Sequence, residues 1–249
     1  FYNKKETKVP FNLEMLDKIT DGGLSNKTLN IALAGTGVGK SLFMCHMAAA
    51  SLQAGKKVLY ITMEMAEERI AERIDANLLD VSMQELREKV AYSDWFENNI
   101  KKLQDEIEGR LIIKEYPTSS AHSGHFKALI QELRLKRNFH PDIVFIDYLN
   151  ICASSRIRAG SSANSYTIIK SIAEEIRALA VELDVPIFSA TQTTRAGYGN
   201  TDVDLTDTSE SFGLPATADL MFAIICTEEL EGLGLFMMHP LKKRYAAPT

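Results

Sequence analysis

Short apolar segments alternate along the chain with longer stretches of helical periodicity. Five segments are apolar enough and short enough for buried strands, at 29–33, 58–62, 111–115, 142–147 and 186–190. Between them the apolar residues recur every three or four positions, which predicts helices at 42–54, 66–79, 93–108, 124–137 and 166–183. Strands and helices that alternate in this way favour a parallel sheet. We therefore predict an α/β fold with a mainly parallel central sheet flanked by helices.

The beginning of the chain departs from this pattern. Residues 1–9 show no periodicity and are predicted to be a flexible arm or linker remnant, whereas 10–249 is predicted to be one domain. A length of 249 residues, of which 45% are hydrophobic, suits a single α/β domain with a full core. Because the chain begins at Phe1 and not at Met, we expect it to be part of a longer protein.

Composition and charge limit the cellular location and the partners that we expect for this domain. No stretch approaches the roughly 20 apolar residues of a membrane span and no signal peptide is present, so we expect no membrane partner. Three scattered cysteines in apolar surroundings indicate reduced thiols and a cytoplasmic location: Cys45, Cys152 and Cys226. A net charge of −5 argues against a surface that is basic all over, so any contact with nucleic acid has to come from local loops.

A glycine-rich turn joins the first predicted strand to the next helix. It matches a Walker A phosphate loop, with Ala34 standing where the strict pattern has its first glycine, which is acceptable if its φ is negative. In such a turn the backbone N–H groups point at phosphate, the Lys40 ammonium reaches the β- and γ-phosphates, and the Ser41 hydroxyl joins the Mg²⁺ shell. The predicted nucleotide-binding residues are Gly35, Thr36, Gly37, Val38, Gly39, Lys40, Ser41 and Leu42.

Two acidic residues end strands that should lie near this loop. Asp147 follows four apolar residues, which is typical of a Walker B strand whose carboxylate completes the Mg²⁺ site with Ser41. Glu64 follows the strand at 58–62 and is predicted to be the general base that orients the attacking water. The alternative for Glu64 is a cap on the helix at 66–79, where the helix dipole stabilises a carboxylate by about 0.3–1 kcal/mol.

Polar residues follow two further strands. Gln192 lies just beyond 186–190, where it either contacts a γ-phosphate or only caps the loop. The segment 153–165 carries Arg156 and Arg158, and the segment 195–211 is rich in Gly, Asn, Asp and Thr. Loops of this length inside a compact domain are often functional, and the alternative is that both are flexible connectors.

In this order the motifs resemble the RecA-like motor domain of DnaB-like hexameric replicative helicases. The resemblance rests on the phosphate loop, Thr-Met-Glu-Met at 62–65, Asp147, Thr-Gln-Thr-Thr-Arg at 191–195, Ala-Asp-Leu-Met-Phe at 218–222 and Lys-Lys-Arg at 242–244. It covers about residues 10–245 and is greatest to the helicases of T4-like phages, which implies a phage source and the bacterial host cytoplasm. The family's amino-terminal domain, which contacts primase, is expected to be absent here.

The resemblance also implies an activity, its cofactors and its partners. It implies an ATP- and Mg²⁺-dependent DNA helicase that translocates on single-stranded DNA as a homo-hexamer, with the ATP site at the subunit interface. Primase and a helicase loader would be partners of the full-length protein. Lys242 and Arg244 would act in the neighbouring subunit's site, while Lys40, Glu64 and Gln192 act in their own. The alternative for Lys242 and Arg244 is a solvated basic tail. The residues expected to contact DNA are Arg156, Arg158, Arg195 and Gly197.

Two other functions stay open on the residues alone. A RecA/RadA-like strand-exchange recombinase shares the fold and would form an open filament on DNA instead of a closed ring. A KaiC-like nucleotide-regulated assembly ATPase would use ATP to hold an assembly together, and single-stranded DNA would not stimulate its turnover.

Overall fold

The computed structural model describes residues 7–90, 93–158, 160, 162–192 and 213–244. Its strands are β1 Leu29–Ala34, β2 Val58–Thr62, β3 Leu111–Glu115, β4 Ile143–Asp147, β5 Ile187–Gln192, β6 Leu220–Ile225 and β7 Met237–Lys243. Its helices are α1 Glu14–Ile19, α2 Lys40–Gln53, α3 Glu67–Leu78, α4 Met83–Val90, α5 Ser93–Ile107, α6 Ser123–Arg137, α7 Ser165–Leu183, α8 Gly213–Thr217 and α9 Glu228–Gly232, with a 3-10 turn at Leu149–Ile151. Across these described ranges, no helix is long and apolar enough to cross a membrane.

The described strands form one sheet in the order β3–β2–β4–β5–β1–β6–β7. The neighbours from β3 to β6 pair in parallel, and β7 runs antiparallel to β6. Parallel neighbours need crossover connections, and the helical segments between the strands supply them. The predicted α/β fold with a mainly parallel central sheet is confirmed.

Helices cover both faces of this sheet. The strands β1, β2, β4 and β6 are buried at every position, which explains why their sequences are continuous apolar runs without alternation. On one face α6 and α7 pack against side chains such as Ile31 and Ile146. On the other face α2 and α3 pack against Ala32, Tyr60 and Phe145. The core therefore has two layers, one on each side of the sheet.

The pairing register brings the carboxyl ends of four strands to one edge. Ala34 lies opposite Gln192 across β1 and β5, and Thr62 lies opposite Asp147 across β2 and β4. Because β5 stands between β4 and β1, the residues that follow these four ends are neighbours in space. In open α/β sheets this carboxyl edge is where ligands bind.

The predicted arm at 1–9 extends too far into the chain. Val9 is 2% exposed and exchanges two backbone hydrogen bonds with Leu24, at 3.0 and 2.8 Å. Gly23 permits this approach, because a Cβ there would lie 2.1 Å from the Val9 carbonyl oxygen. The packed part of the chain therefore begins before residue 10, and residues 1–6 lie outside the described residues.

The helix α4 was not predicted from the sequence. Within 83–88 only Leu86 is buried, and the other side chains are half-buried or exposed. One buried residue in two turns gives no helical periodicity of apolar positions, so the pattern carries no signal.

Candidate nucleotide site

The phosphate loop at 35–39 turns the chain sharply from β1 into α2. Gly37 and Gly39 have φ of 81° and 109°. A Cβ at Gly39 would meet nothing closer than the Leu42 side chain, at 3.9 Å, so the backbone conformation and not lack of space requires glycine there. Ala34 ends β1 and does not have a positive φ, so alanine is acceptable where the strict Walker A pattern has its first glycine.

Lys40 begins α2 and is 7% exposed. Its ammonium lies 5.5 Å from the ring centroid of Tyr148. Burial lowers the pKa of Lys40, and the nearby carboxylates of Glu64 and Asp147 oppose that change. A buried cation beside the N-terminus of a helix is well placed to hold an anion such as phosphate.

Asp147 ends β4 and has no exposed surface. The Tyr60 hydroxyl donates to its Oδ2 at 2.9 Å. Burial raises the pKa of Asp147, while hydrogen bonds from Ser41 and Tyr60 act in the opposite direction. The second oxygen, Oδ1, is buried and has no hydrogen-bond partner in the part of the chain that the structure describes. The carboxylate is thus held on one side and bare on the other.

The bare oxygen of Asp147 offers a test of the predicted magnesium site. Buried polar atoms almost always have a partner, so an orphaned carboxylate oxygen marks a place for one. The Ser41 hydroxyl interacts with the same carboxylate, and oxygen atoms of these two kinds are ligands that Mg²⁺ prefers. The residues present therefore fit a magnesium ion.

Glu64 lies two residues beyond β2. The Met63 N–H donates to the Asp147 carbonyl oxygen at 3.0 Å, which fastens this segment to β4. Glu64 is exposed and lies near enough to Lys40, Asp147 and Tyr148 to shift the pKa of each. At the start of α3 the N-cap residue Ala66 makes no side-chain hydrogen bond, and the Glu67 N–H donates to Glu115 Oε2 at 3.3 Å.

Gln192 ends β5 beside the phosphate loop. Its Nε2 donates to the Tyr148 hydroxyl at 3.1 Å. Tyr148 was not predicted, although it contacts both Gln192 and the Lys40 ammonium. The one signal for it in the sequence is its place directly after Asp147. The structure thus brings together five predicted residues at one edge: Lys40, Ser41, Glu64, Asp147 and Gln192.

Both the sequence and the fold of the chain match known proteins. The sequence model of the DnaB-like helicase C terminal domain matches residues 9–231. The chain belongs to this family. The DnaB-like replicative helicase of Enterobacteria phage T4 is 49% identical over 245 residues, which are 98% of this chain and 51% of that protein. The replicative DNA helicase DnaB of Helicobacter pylori (strain J99) is 26% identical over 219 residues, which are 87% of this chain and 43% of that protein.

The chain thus spans about half the length of these curated relatives or less. Two solved structures share its fold at 21% sequence identity. One is described as an ATPase domain and has a TM-score of 0.79. The match includes 98% of this chain and 87% of that one. The other is a DnaB-like replicative helicase described with its interactions with primase, and its TM-score is 0.80. The match includes 98% of this chain and 59% of that one. They confirm the predicted RecA-like fold.

The family's Lys-Lys-Arg motif lies at the opposite edge of the sheet. Because β7 runs antiparallel, Lys243 lies opposite Leu220 at the amino end of β6. A six-residue strand separates that end from the carboxyl edge, a rise of about 17 Å. Lys242 donates there to the carbonyl oxygens of Pro215 and Ala216. Lys242 and Arg244 are therefore not brought to their own phosphate loop.

Arg244 is held at that edge by Asp219, which is 2% exposed. Its Nη1 lies 2.8 Å from Asp219 Oδ1, and Arg177 Nε lies 3.0 Å from Oδ2 of the same carboxylate. The Leu29 N–H also donates to Oδ2, at 3.0 Å. Asp219 belongs to the Ala-Asp-Leu-Met-Phe motif, but the sequence does not show that it contacts Arg244.

The predicted DNA-contacting residues fall into two groups. Arg156 and Arg158 are exposed, and Arg156 Nη1 lies 3.1 Å from Glu174 Oε2. Arg195 and Gly197 lie outside the described residues, so the structure gives no contact or position for them. The DNA contacts of all four stay predictions.

Proposed function

We propose that this chain is the ATP-hydrolysing motor domain of a replicative DNA helicase. The observation that supports this most is the meeting of Lys40, Ser41, Glu64 and Asp147 at one edge of a RecA-like sheet in a DnaB-family chain. The loop N–H groups and Lys40 bind the β- and γ-phosphates of ATP. Their positive charge stabilises the negative charge that shifts during phosphoryl transfer.

Glu64 is the group that orients water for in-line attack on the γ-phosphorus. It is exposed where the other carboxylate is buried, so water reaches it without a cost in desolvation. The products are ADP and inorganic phosphate. Gln192 contacts the γ-phosphate before hydrolysis. When the phosphate leaves, Gln192 changes its partner, and this change couples hydrolysis to the chain beyond β5.

The magnesium site in this proposal consists of Ser41 and Asp147. A Mg²⁺ ion held there would supply positive charge that stabilises the negative charge of the phosphates. Ser41 contributes its hydroxyl, and Asp147 acts through water with the oxygen that has no partner among the described residues. Tyr60 holds the other oxygen and so fixes the orientation of the carboxylate.

A homo-hexameric ring completes each ATP site in this proposal. Lys242 and Arg244 lie at the edge opposite the phosphate loop, where they are of no use to their own site. In a head-to-tail ring that edge faces the phosphate loop of the next subunit. The two cations then neutralise charge on a neighbour's γ-phosphate, and Arg244 leaves Asp219 to do so.

Single-stranded DNA passes through the ring in this proposal. Arg156, Arg158, Arg195 and Gly197 contact its phosphate backbone, which requires cations and N–H groups but no reading of sequence. The net charge of −5 leaves such contacts to local loops. ATP turnover moves the loops along the strand and separates the duplex ahead.

Partners of the full-length protein are proposed by the same similarity. A solved structure of similar fold is a DnaB-like replicative helicase described with its interactions with primase, and we propose primase and a helicase loader as partners here. The host cytoplasm is the proposed location. The relatives named above are helicases, which favours a helicase over a strand-exchange recombinase.

The experiment that tests the proposal is the steady-state ATPase rate against single-stranded oligo-dT. It is run at several protein concentrations and at two salt concentrations, with Glu64→Gln as the control for contaminating ATPase. We expect stimulation that rises with protein concentration and falls with salt. A rate indifferent to DNA in the low-salt series would contradict the helicase and favour the assembly ATPase.

A further inference from the structure

Glu175 lies in the middle of α7 and is 5% exposed although it is a carboxylate. Its Oε1 accepts a hydrogen bond from the Ser154 hydroxyl at 2.6 Å. Its Oε2 accepts from the N–H and the hydroxyl of Ser155, at 2.9 and 2.7 Å. Ser123 and Ser171 donate their hydroxyls at 3.0 and 3.2 Å. Each of these donors is neutral.

These contacts keep Glu175 ionised. Burial alone would raise its pKa, but the hydrogen bonds from Ser154, Ser155 and Ser123 outweigh burial and bring the pKa to about 2. A charged acceptor makes each of these bonds stronger than a bond between neutral groups. The cluster therefore ties its donors firmly to α7.

The donors belong to segments that are far apart in the chain. Ser123 begins α6, whereas Ser154 and Ser155 begin the loop that carries the exposed arginines. The Ser154 hydroxyl also accepts hydrogen bonds from the N–H groups of Arg156 and Ile157, both at 3.1 Å. The hold of Glu175 on Ser154 thus extends to the backbone of Arg156.

We propose that Glu175 is a positioning residue for DNA binding. It fixes the start of the loop at 153–165 so that Arg156 and Arg158 are presented to the DNA backbone before the strand arrives. A loop ordered in advance loses less conformational entropy on binding. The proposal rests on the proposed function, because it takes this loop as a DNA contact. The sequence gives no sign of the role, since a glutamate within a helix ordinarily faces solvent.

The test compares Glu175→Gln with Glu182→Gln. Glu182 is the matched control, because it lies on the same helix, is exposed and pairs with Lys127 far from the loop. Three quantities are measured: hydrogen exchange of the amides at 153–158, affinity for fluorescent oligo-dT with a non-hydrolysable ATP analogue, and affinity for the analogue alone. The last reports on the nucleotide site, which Glu175 does not touch.

For Glu175→Gln we expect exchange at 153–158 to be about tenfold faster, because hydrogen bonds to a charged group are lost. We expect DNA affinity to fall about five- to tenfold, because the loop is less often in the binding conformation. Analogue affinity should stay within about twofold. Glu182→Gln should leave all three quantities unchanged. A merely structural role for Glu175 would weaken DNA and nucleotide binding together.

Each other result overturns a different statement. Unchanged exchange at 153–158 would show that Glu175 does not fix the loop, whatever the chain binds. Faster exchange with unchanged DNA affinity would show that the loop is fixed but that DNA binding does not depend on it. If the unsubstituted chain binds no DNA, the proposed function fails. The exchange result still decides whether Glu175 fixes the loop. Should Glu175→Gln fail to fold, the double variant Ser154→Ala, Ser155→Ala removes the loop side of the cluster and is expected to give the same pattern.

Discussion

Two carboxylates at the carboxyl edge of the sheet differ because their surroundings differ. Asp147 has no exposed surface, and the Tyr60 hydroxyl holds one of its oxygens. Glu64 is exposed only a few residues past the neighbouring strand end. A buried carboxylate with one bare oxygen suits a cation, whereas an exposed one suits a water molecule. The same chemical group is thus placed for two tasks.

The role of Glu64 is tested by Glu64→Gln, which keeps the size of the side chain but removes its negative charge. We expect ATP turnover to fall by at least about 100-fold, because a neutral amide is a poor base. Nucleotide affinity should change by less than about twofold, since Glu64 lies outside the phosphate loop. The turnover number and the binding of a fluorescent ATP analogue are measured, with Glu68→Gln in α3 as control. Retained hydrolysis would remove Glu64 from the mechanism.

The role of Tyr60 is tested by Tyr60→Phe, which removes the hydroxyl that donates to Asp147 Oδ2. Hydrogen bonds to charged groups contribute about 1.5–3 kcal/mol, so we expect half-saturating Mg²⁺ for analogue binding to rise by about tenfold. Analogue binding is titrated with Mg²⁺, and Tyr116→Phe serves as the control because Tyr116 contacts Phe126 and not Asp147. An unchanged Mg²⁺ requirement would show that Tyr60 contributes to packing alone.

The motif residues of the site could be predicted because phosphate and metal chemistry restricts which residue types serve. Lys40, Ser41 and Asp147 follow from such rules together with their places at strand and helix ends. Tyr60 could not, because an inward tyrosine on a buried strand has the same sequence pattern as any core aromatic residue. The role of Glu175 could not be predicted either, but for a different reason. Its partners come from loops and helices that only the tertiary fold brings together.

At the scale of elements, the reversal of β7 decides where the family's basic motif lies. A seventh strand parallel to the others would have ended at the phosphate loop. The antiparallel strand ends at the far edge instead, where Asp219 accepts from both Arg244 and Arg177. If Arg244 acts in trans as proposed, Arg177 would stay with Asp219 when Arg244 leaves, and the buried carboxylate would not be left without a cation. This lowers the cost of freeing Arg244.

The trans role of Arg244 is tested by mixing two inactive variants. Arg244→Ala keeps its own phosphate loop, and Lys40→Ala keeps its Arg244. We expect each alone to lose activity, by about 1,000-fold for Arg244→Ala if it acts as trans-acting arginines do. Mixed assemblies should regain ATPase activity, because Arg244 of one subunit serves the intact loop of the next. The rate is followed against mixing ratio, and thermal unfolding checks that both variants are folded.

If the mixture has only the summed activity of its two components, Arg244 does not act across an interface. A loss of folded protein in Arg244→Ala would instead mark its pairing with Asp219 as structural.

The five predicted strands were located more accurately than the small helices, whereas β6 and β7 were not predicted from the sequence. β2 and β3 have the bounds expected from the sequence, and β4 ends at the expected aspartate. The strands β2 and β4 are buried at every position, and such strands are short apolar runs that polar residues end abruptly. The strand β3 is half-buried to exposed, so burial does not explain its bounds. The helix α4 has little core contact and so leaves no such pattern.

At the scale of the whole molecule, the Glu175 cluster joins α6, α7 and the loop at 153–165 on one side of the sheet. Its effect on stability depends on pH. The pKa of Glu175 is lowered from 4.5 to about 2 in the folded chain. The folded state therefore binds fewer protons than the unfolded state between these values. The contribution to stability is complete above about pH 4.5 and is lost as pH falls towards 2.

This sign gives a prediction for Glu175→Gln. The difference in thermal unfolding midpoint between the unsubstituted chain and the variant should be largest at pH 5 and above, and should shrink as pH is lowered to 3. Midpoints are measured by circular dichroism over that range. The exposed Glu182→Gln should show a small difference with little pH dependence. A difference for Glu175→Gln that is constant from pH 6 to 3 would mean that folding does not lower the pKa of its carboxyl group.

The placement of the phosphate loop and Arg244 at opposite edges gives the molecule an intrinsic direction. Under the proposed trans role of Arg244, two copies related by a twofold axis would set like edges against each other and complete no site, so the proposed contact is heterologous. In an open row the last phosphate loop lacks a donor and the first Arg244 lacks an acceptor. Closing the row removes both vacancies at once. In the proposed ring, turnover per subunit would therefore rise when the last gap closes, although no subunit would have changed its own structure.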